Sequence, residues 1–197
     1  MKKLPRSFYM RDALAVATDL LGKVLVHETP GGIASGKIVE VEAYMGAIDP
    51  ASHSYGAKRT ERTKIQYGEG GFAYVYFIYG MYYCMNVVVN ERETPEAILI
   101  RALEPVEGID LMKQRRKTDS IKNLTNGPGK LCTALGIDRN SYGQDLCGNT
   151  LYLVEGEKDI EVEATKRINI EYAGEAKEYL WRFLEKNNPH VSVKVVK

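Results

Sequence analysis

The chain alternates apolar and polar positions over long stretches, and this pattern predicts more strand than helix. "KVLVHE" and "IASGKIVEVEAY" read as two strands joined by a "TPGG" turn. "FAYVYFIYGMYYCMNVVVN" is too long and too β-branched for one strand, and Gly80 falls near its middle. It reads as a hairpin with its turn at Tyr79-Gly80-Met81. "EAILIRALEP" is a further strand that Pro105 ends, and "TLYLVE" and "IEVEAT" are short strands.

Helical spacing occurs in fewer places. Ser7 can cap a helix over about residues 8–21, with Ala13, Leu14, Ala17, Leu20 and Leu21 on one side and Gly22 as its stop. Pro105 opens a helix to about Lys117, and Asn126 caps another that has Pro128 in its first turn and Gly136 at its end. "AGEAKEYLWRFLEKNN" is partly helical, and "HVSVKVV" is an edge strand. Residues 45–71 form a long loop with one short helix near Lys64, and a loop of that length in a compact domain is commonly functional. No repeat, linker or low-complexity tract divides the chain, so residues 1–197 are expected to form one α+β domain on a mostly antiparallel sheet.

Composition narrows the function classes. The formal net charge is +1, which argues against a protein that coats nucleic acid by bulk charge. Charge is segregated, however. Bases dominate from Arg101 to Lys130 and acids from Glu155 to Glu178, which allows one positive and one negative face. No apolar run approaches the ~20 residues that span a bilayer. Arg11, Asp12 and Asp19 interrupt any signal core, so a cytoplasmic protein is expected. Three widely spaced cysteines without a C-x-x-C predict reduced thiols and no zinc site, with Cys84 as plain core. Tyrosine is abundant, with 13 against four phenylalanines. It suits half-wet interfaces.

Within this frame a few residues carry candidate chemistry. Glu40, Glu42 and Tyr44 share one face of a strand whose other face holds Val39, Val41 and Ala43. Strand-face acids are ordinarily solvated. Glu42, though, precedes a glycine-containing loop that delivers His53, and a carboxylate beside a pocket can take a proton from water. Arg101 lies between Ile100 and Ala102, where an arginine needs a partner, and Glu42 is the functional candidate for it. Tyr79, at a tight turn, projects outward as an aromatic wedge. "NGPGKLC" frees backbone N–H groups at a helix start and adds Lys130, a phosphate cradle without the P-loop spacing.

The blocks "LLGK", "IVEVEAYMG", "DPASHSYG", "YVYFIYGMYYCMN", "LIRALEP", "NGPGKLCTALGI" and "YAGEAKEYLWRF" run in order from Leu20 to Phe183. In this the chain resembles the alkyladenine (3-methyladenine) DNA glycosylases of the mammalian type. The resemblance implies a curved antiparallel sheet with surrounding helices and a protruding hairpin. It implies a monofunctional enzyme of base-excision repair that hydrolyses the N-glycosidic bond of alkylated or deaminated purines in double-stranded DNA. It also implies no cofactor and no metal, a monomer, and a place at the nucleoid. Carried over by position, Glu42 activates the attacking water and Arg101 holds it. Tyr44, His53 and Tyr76 line the pocket, Asn86 forms its floor against the 2-amino group of guanine, and the backbone of Ile168 meets the water. Tyr79 and Met81 enter the base stack, and Thr60, Gly127 and Lys130 contact phosphate. The family often has glycine where Asn169 stands, which implies a shifted pocket wall. Two rival readings remain: a non-catalytic binder of distorted DNA using the same hairpin, and a metal-assisted hydrolase using His53 with Glu40.

Overall fold

A computed structural model describes residues 2–194. Its frame is one antiparallel sheet of eight strands. β1 (Val24–Thr29) and β2 (Gly32–Tyr44) pair through the predicted turn. β3 (Ala73–Ile78) and β4 (Tyr82–Val89) form the predicted hairpin, and β4 pairs with β5 (Glu96–Glu107). β2 then pairs with β5 along most of its length. The other edge of β2 is shared, since its first half holds β1 and its second half holds β8 (Arg182–Glu185). β6 (Leu151–Val154) extends the sheet beyond β1, and β7 (Val162–Thr165) pairs with β8. The order β3-β4-β5-β2-β1-β6 leaves β2 central, and three register shifts between β2 and β5 curl the sheet there. The fold is α+β, as the pattern implied.

The central position of β2 accounts for a departure from simple alternation. Its apolar face packs Ile38, Val41 and Ala43 into the main core with Met85, Ile98 and Ile100. Its other face is covered as well, by the Arg182 side chain and the segments around Ile168 and Ser192, so Glu40 and Glu42 are fully buried and not solvated.

Several predicted boundaries move. The N-terminal helix is two pieces, α1 (Arg6–Tyr9) and α2 (Ala13–Leu20). The break turns Tyr9 fully into the core, and the Asp12 carboxylate, not Ser7, caps α2 by accepting from Ala15 N–H at 3.0 Å. Pro105 does not end β5. It pairs with Gly36 beside a register shift, where the ladder tolerates a missing N–H, and the strand runs to Glu107. α3 (Ile109–Arg116) therefore starts after Gly108, not at Pro105. Gly108 adopts φ +75, and a Cβ there would lie 2.2 Å from the Ile33 carbonyl oxygen, so this turn requires glycine. α4 (Pro128–Leu135) has Pro128 first and Gly136 at its end as expected, but its N-cap is Gly127 and no side chain caps it. Asn126 instead accepts from Lys130 Nζ at 2.8 Å.

The long loop carries three 3₁₀ turns, including Lys64–Tyr67 as predicted. A further 3₁₀ segment covers Glu171–Glu178, after which "WRFLE" continues as β8 and not as helix. The predicted final edge strand is absent over residues 190–194, where the Ser192 amide and hydroxyl bond to the buried Glu40 carboxylate instead, and residues 195–197 lie outside the described residues. No helix among the described residues is long and apolar enough to cross a membrane.

Candidate active site

Between the β3–β4 hairpin, the start of α4 and the 166–178 segment lies a cavity of about 380 Å³. Tyr44, His53, Tyr76, Asn86, Arg101 and Ile168 all line it, so six residues singled out in the sequence meet in one place. Glu42 stands directly behind the wall they make. Its Oε1 accepts from the Ile168 backbone N–H at 2.7 Å, and its Oε2 accepts from Tyr44 O–H at 2.9 Å and Arg101 Nη1 at 3.2 Å. These donors come from three different segments. They fix the carboxylate's orientation, and the cavity lies just beyond the groups that hold it.

The electrostatics follow from burial. Burial opposes the charge on Arg101, but Glu42 and Glu40 outweigh it and hold the guanidinium above its ordinary pKa. Burial, followed by the nearby Glu42 charge, pushes the Tyr44 hydroxyl well up, so it stays a donor. His53 is pushed down to about 4, first by burial and then by Arg62. Arg62 Nη2 lies 3.2 Å from His53 Nε2, and a guanidinium only donates, so Nε2 accepts. The proton is therefore on Nδ1 and is donated to Tyr74 O–H at 2.8 Å. His53 is a neutral ring of fixed tautomer, packed edge-on against Tyr76 with centroids 4.7 Å apart.

Asn86 is anchored by donating Nδ2 to the Tyr74 carbonyl at 3.1 Å. Cys84 is buried as predicted, but it also lines the cavity, and burial pushes its thiol up to about 11. It is protonated and weakly nucleophilic. Asn169 lines the cavity with φ 58, a left-handed conformation that asparagine tolerates better than most side chains.

The hairpin turn projects outward. Tyr79 is 76% exposed and Met81 65%, and Tyr79 also forms part of the cavity rim. Tyr79 has φ 54 and Gly80 φ 67, a mirror-image tight turn that normally favours asparagine or glycine at both positions. The outward aromatic thus sits on strained backbone. Next to the hairpin, with Gly129 packed against Tyr82, Pro128 and Gly129 line the cavity, and Gly127 and Lys130 lie beside them in the chain. Thr60 lies apart from the cavity lining, with its hydroxyl beside that of Thr63 at 3.1 Å.

Several supporting residues were not singled out in the sequence. Arg167 clamps Asp49 with two hydrogen bonds, Nη1–Oδ2 at 2.5 Å and Nη2–Oδ1 at 2.9 Å, with both side chains fully buried. It also donates to the Ala43 carbonyl and stacks over the Tyr44 ring. Arg182, between Trp181 and Phe183, lies in β8, and the reading of that stretch as partly helical hid it as an arginine inside a strand. Gln66 and Tyr172 also line the cavity, and nothing in their spacing marks them. His53 and Glu40 do not converge, because Glu40 is taken up by Arg101, Arg182 and Ser192. Among the described residues, no group of three or more His, Cys, Asp or Glu is placed to hold a metal ion.

The site thus joins an exposed aromatic hairpin turn to a tyrosine-lined cavity with a clamped carboxylate behind it. The model of the methylpurine-DNA glycosylase family matches residues 7–189. The chain belongs to that family. It is 53% identical to a protein of Desulfitobacterium hafniense over 98% of this chain and 100% of that one. It is 54% identical to one of Clostridium acetobutylicum over 97% and 98%, and 52% identical to one of Clostridium novyi over 98% and 100%. Each of the three bears the name "Putative 3-methyladenine DNA glycosylase".

Proposed function

We propose that this protein is a DNA glycosylase. It extrudes alkylated or deaminated purines, 3-methyladenine among them, from double-stranded DNA and hydrolyses the N-glycosidic bond, leaving an abasic site. The observation that carries this reading is the position of Glu42, held by three donors at the back of an aromatic cavity whose rim carries an exposed tyrosine.

In this account a base inside the duplex is out of reach, so it is flipped at a cost of a few kcal/mol. Tyr79, aided by Met81, fills the gap left in the stack. Tyr44, His53 and Tyr76 receive the base, and stacking on each aromatic face contributes ~1–3 kcal/mol. A purine alkylated at N3 or N7, such as 3-methyladenine, is cationic in DNA, so the tyrosine faces attract it further, while a neutral His53 adds no repulsion. Asn86 closes the floor and excludes an added 2-amino group. A water held by Arg101 and the Ile168 backbone gives its proton to Glu42 as its oxygen bonds to the sugar carbon C1′. The bonding electrons of the glycosidic bond leave with the base: a cationic purine becomes neutral on taking them, and a neutral deaminated purine takes a proton from solvent as well. Glu42 also stabilises the positive sugar in passing. Thr60, Gly127 and Lys130 hold flanking phosphates. The proposal includes a monomer acting on chromosomal DNA in the cytoplasm, with no lysine nucleophile and hence no strand-cleaving step.

The test is incubation of duplexes carrying one 3-methyladenine, hypoxanthine or ethenoadenine, with chromatography for free base and alkali for abasic sites. Free base with intact strands before alkali is expected from at least one lesion. Tight binding with no base released after prolonged incubation would instead establish the non-catalytic reading.

A further inference from the structure

Beside Glu42 lies a second buried carboxylate with no part in the steps above. Glu40 sits two residues earlier on β2 and is fully buried. Its Oε1 accepts from Arg101 Nε at 3.0 Å, Arg182 Nε at 2.8 Å and Ser192 Oγ at 2.8 Å. Its Oε2 accepts from the Ser192 backbone N–H at 2.5 Å. The donors come from β5, from β8 and from the segment beyond β8. Arg101 is thereby shared. Its Nε goes to Glu40, its Nη1 to Glu42 at 3.2 Å, and its Nη2 reaches Ser192 Oγ at 3.5 Å.

A guanidinium facing one carboxylate prefers to meet it with two parallel N–H bonds. Here Glu40 holds one edge of Arg101, so only a single N–H reaches Glu42. Without the Glu40 charge, both N–H groups could turn onto Glu42 and occupy the lone pairs that receive the proton of the attacking water. We propose that Glu40 is a positioning residue for hydrolysis, with Ser192 closing the far side of the Arg101 guanidinium; this rests on the glycosylase reading. The competing account is a purely structural ion cluster joining β2 to β8 and the C-terminal segment, which predicts loss of stability alone.

The groups facing Glu42 are Glu40 and Tyr44 on β2, Arg101 on β5, Cys84 on β4, Arg182 as its partner across β8, and Tyr172 with the Ile168 amide. Of these only Glu40 changes charge in the substitution Glu40→Gln.

The experiment is single-turnover base release by the full chain on a lesion duplex that the wild type processes, with binding followed by fluorescence anisotropy. Glu40→Gln is expected to slow release by about tenfold to a hundredfold while Kd stays within about twofold. Glu40→Asp restores the charge and should recover part of the rate. Ser192→Ala keeps every charge, serves where Glu40→Gln fails to fold, and should slow release about twofold to fivefold. Wild-type rate in folded Glu40→Gln, or in Ser192→Ala where the former does not fold, overturns the proposal. A slow Glu40→Gln with no rescue by Asp, or with affinity lost in step with the rate, assigns the cluster to structure and overturns it as well. A wild type that releases no base from any lesion duplex overturns the glycosylase reading, and this one with it.

Discussion

Tyr79 occupies a position that backbone sterics disfavour, a left-handed φ in a turn that glycine or asparagine would fill at lower cost. Since the ring is largely exposed, burial does not explain its presence, and the proposed insertion into DNA would. Tyr79→Ala should weaken binding to a lesion duplex by ~1–3 kcal/mol without lowering the thermal midpoint, measured by anisotropy and by melting. A large loss of stability would mean that the ring packs on the fold. His53 gives a second test. Its folded pKa of about 4 lies below the ordinary 6.5, so the unfolded chain takes up the proton first. The stability this site provides is intact above about 6.5 and is lost as pH falls toward about 4. His53→Asn should flatten that stretch of the stability–pH curve relative to the wild type, as read by chemical denaturation. An unchanged slope would contradict the buried neutral ring.

The elements that hold the cavity were legible in the sequence to unequal degrees. β2 and the β3–β4 hairpin announce themselves because period-two alternation and a central glycine are local signals. Arg101 was legible as a costly residue in an apolar strand, and its pairing with Glu42 followed. Pro105 misled because tolerance of a proline depends on a register shift against β2, a property of two strands and not one. The Asn126 cap misled because its side chain is engaged by Lys130. The burial of Glu40 and Glu42 was illegible for the same kind of reason, since the cover comes from segments more than a hundred residues away. The Asp49–Arg167 clamp is another such long-range feature, and it ties the loop after β2 to the wall that presents Ile168. Breaking one partner of a buried pair strands the other, so Asp49→Ala should cost about 3–5 kcal/mol in urea unfolding. A cost below 1 kcal/mol would show the clamp to be dispensable.

Across the whole molecule, a near-neutral chain must bind a polyanion through a local surface. The basic run from Arg101 to Lys130 ends beside the cavity rim at Gly129, which puts positive charge next to the proposed entry point. Lys130→Ala should weaken binding to damaged and undamaged duplexes alike and lower the slope of log affinity against log salt by about 1. An unchanged slope would remove Lys130 from the phosphate contacts. In the proposed account the fold, hairpin and charge all serve one chemical step, which depends on Glu42 accepting a proton. The most direct measurement is single-turnover base release by Glu42→Gln alongside its affinity for the same lesion duplex. The account predicts a fall in the rate constant of about 10²- to 10⁴-fold with affinity nearly unchanged; release at the wild-type rate would contradict it.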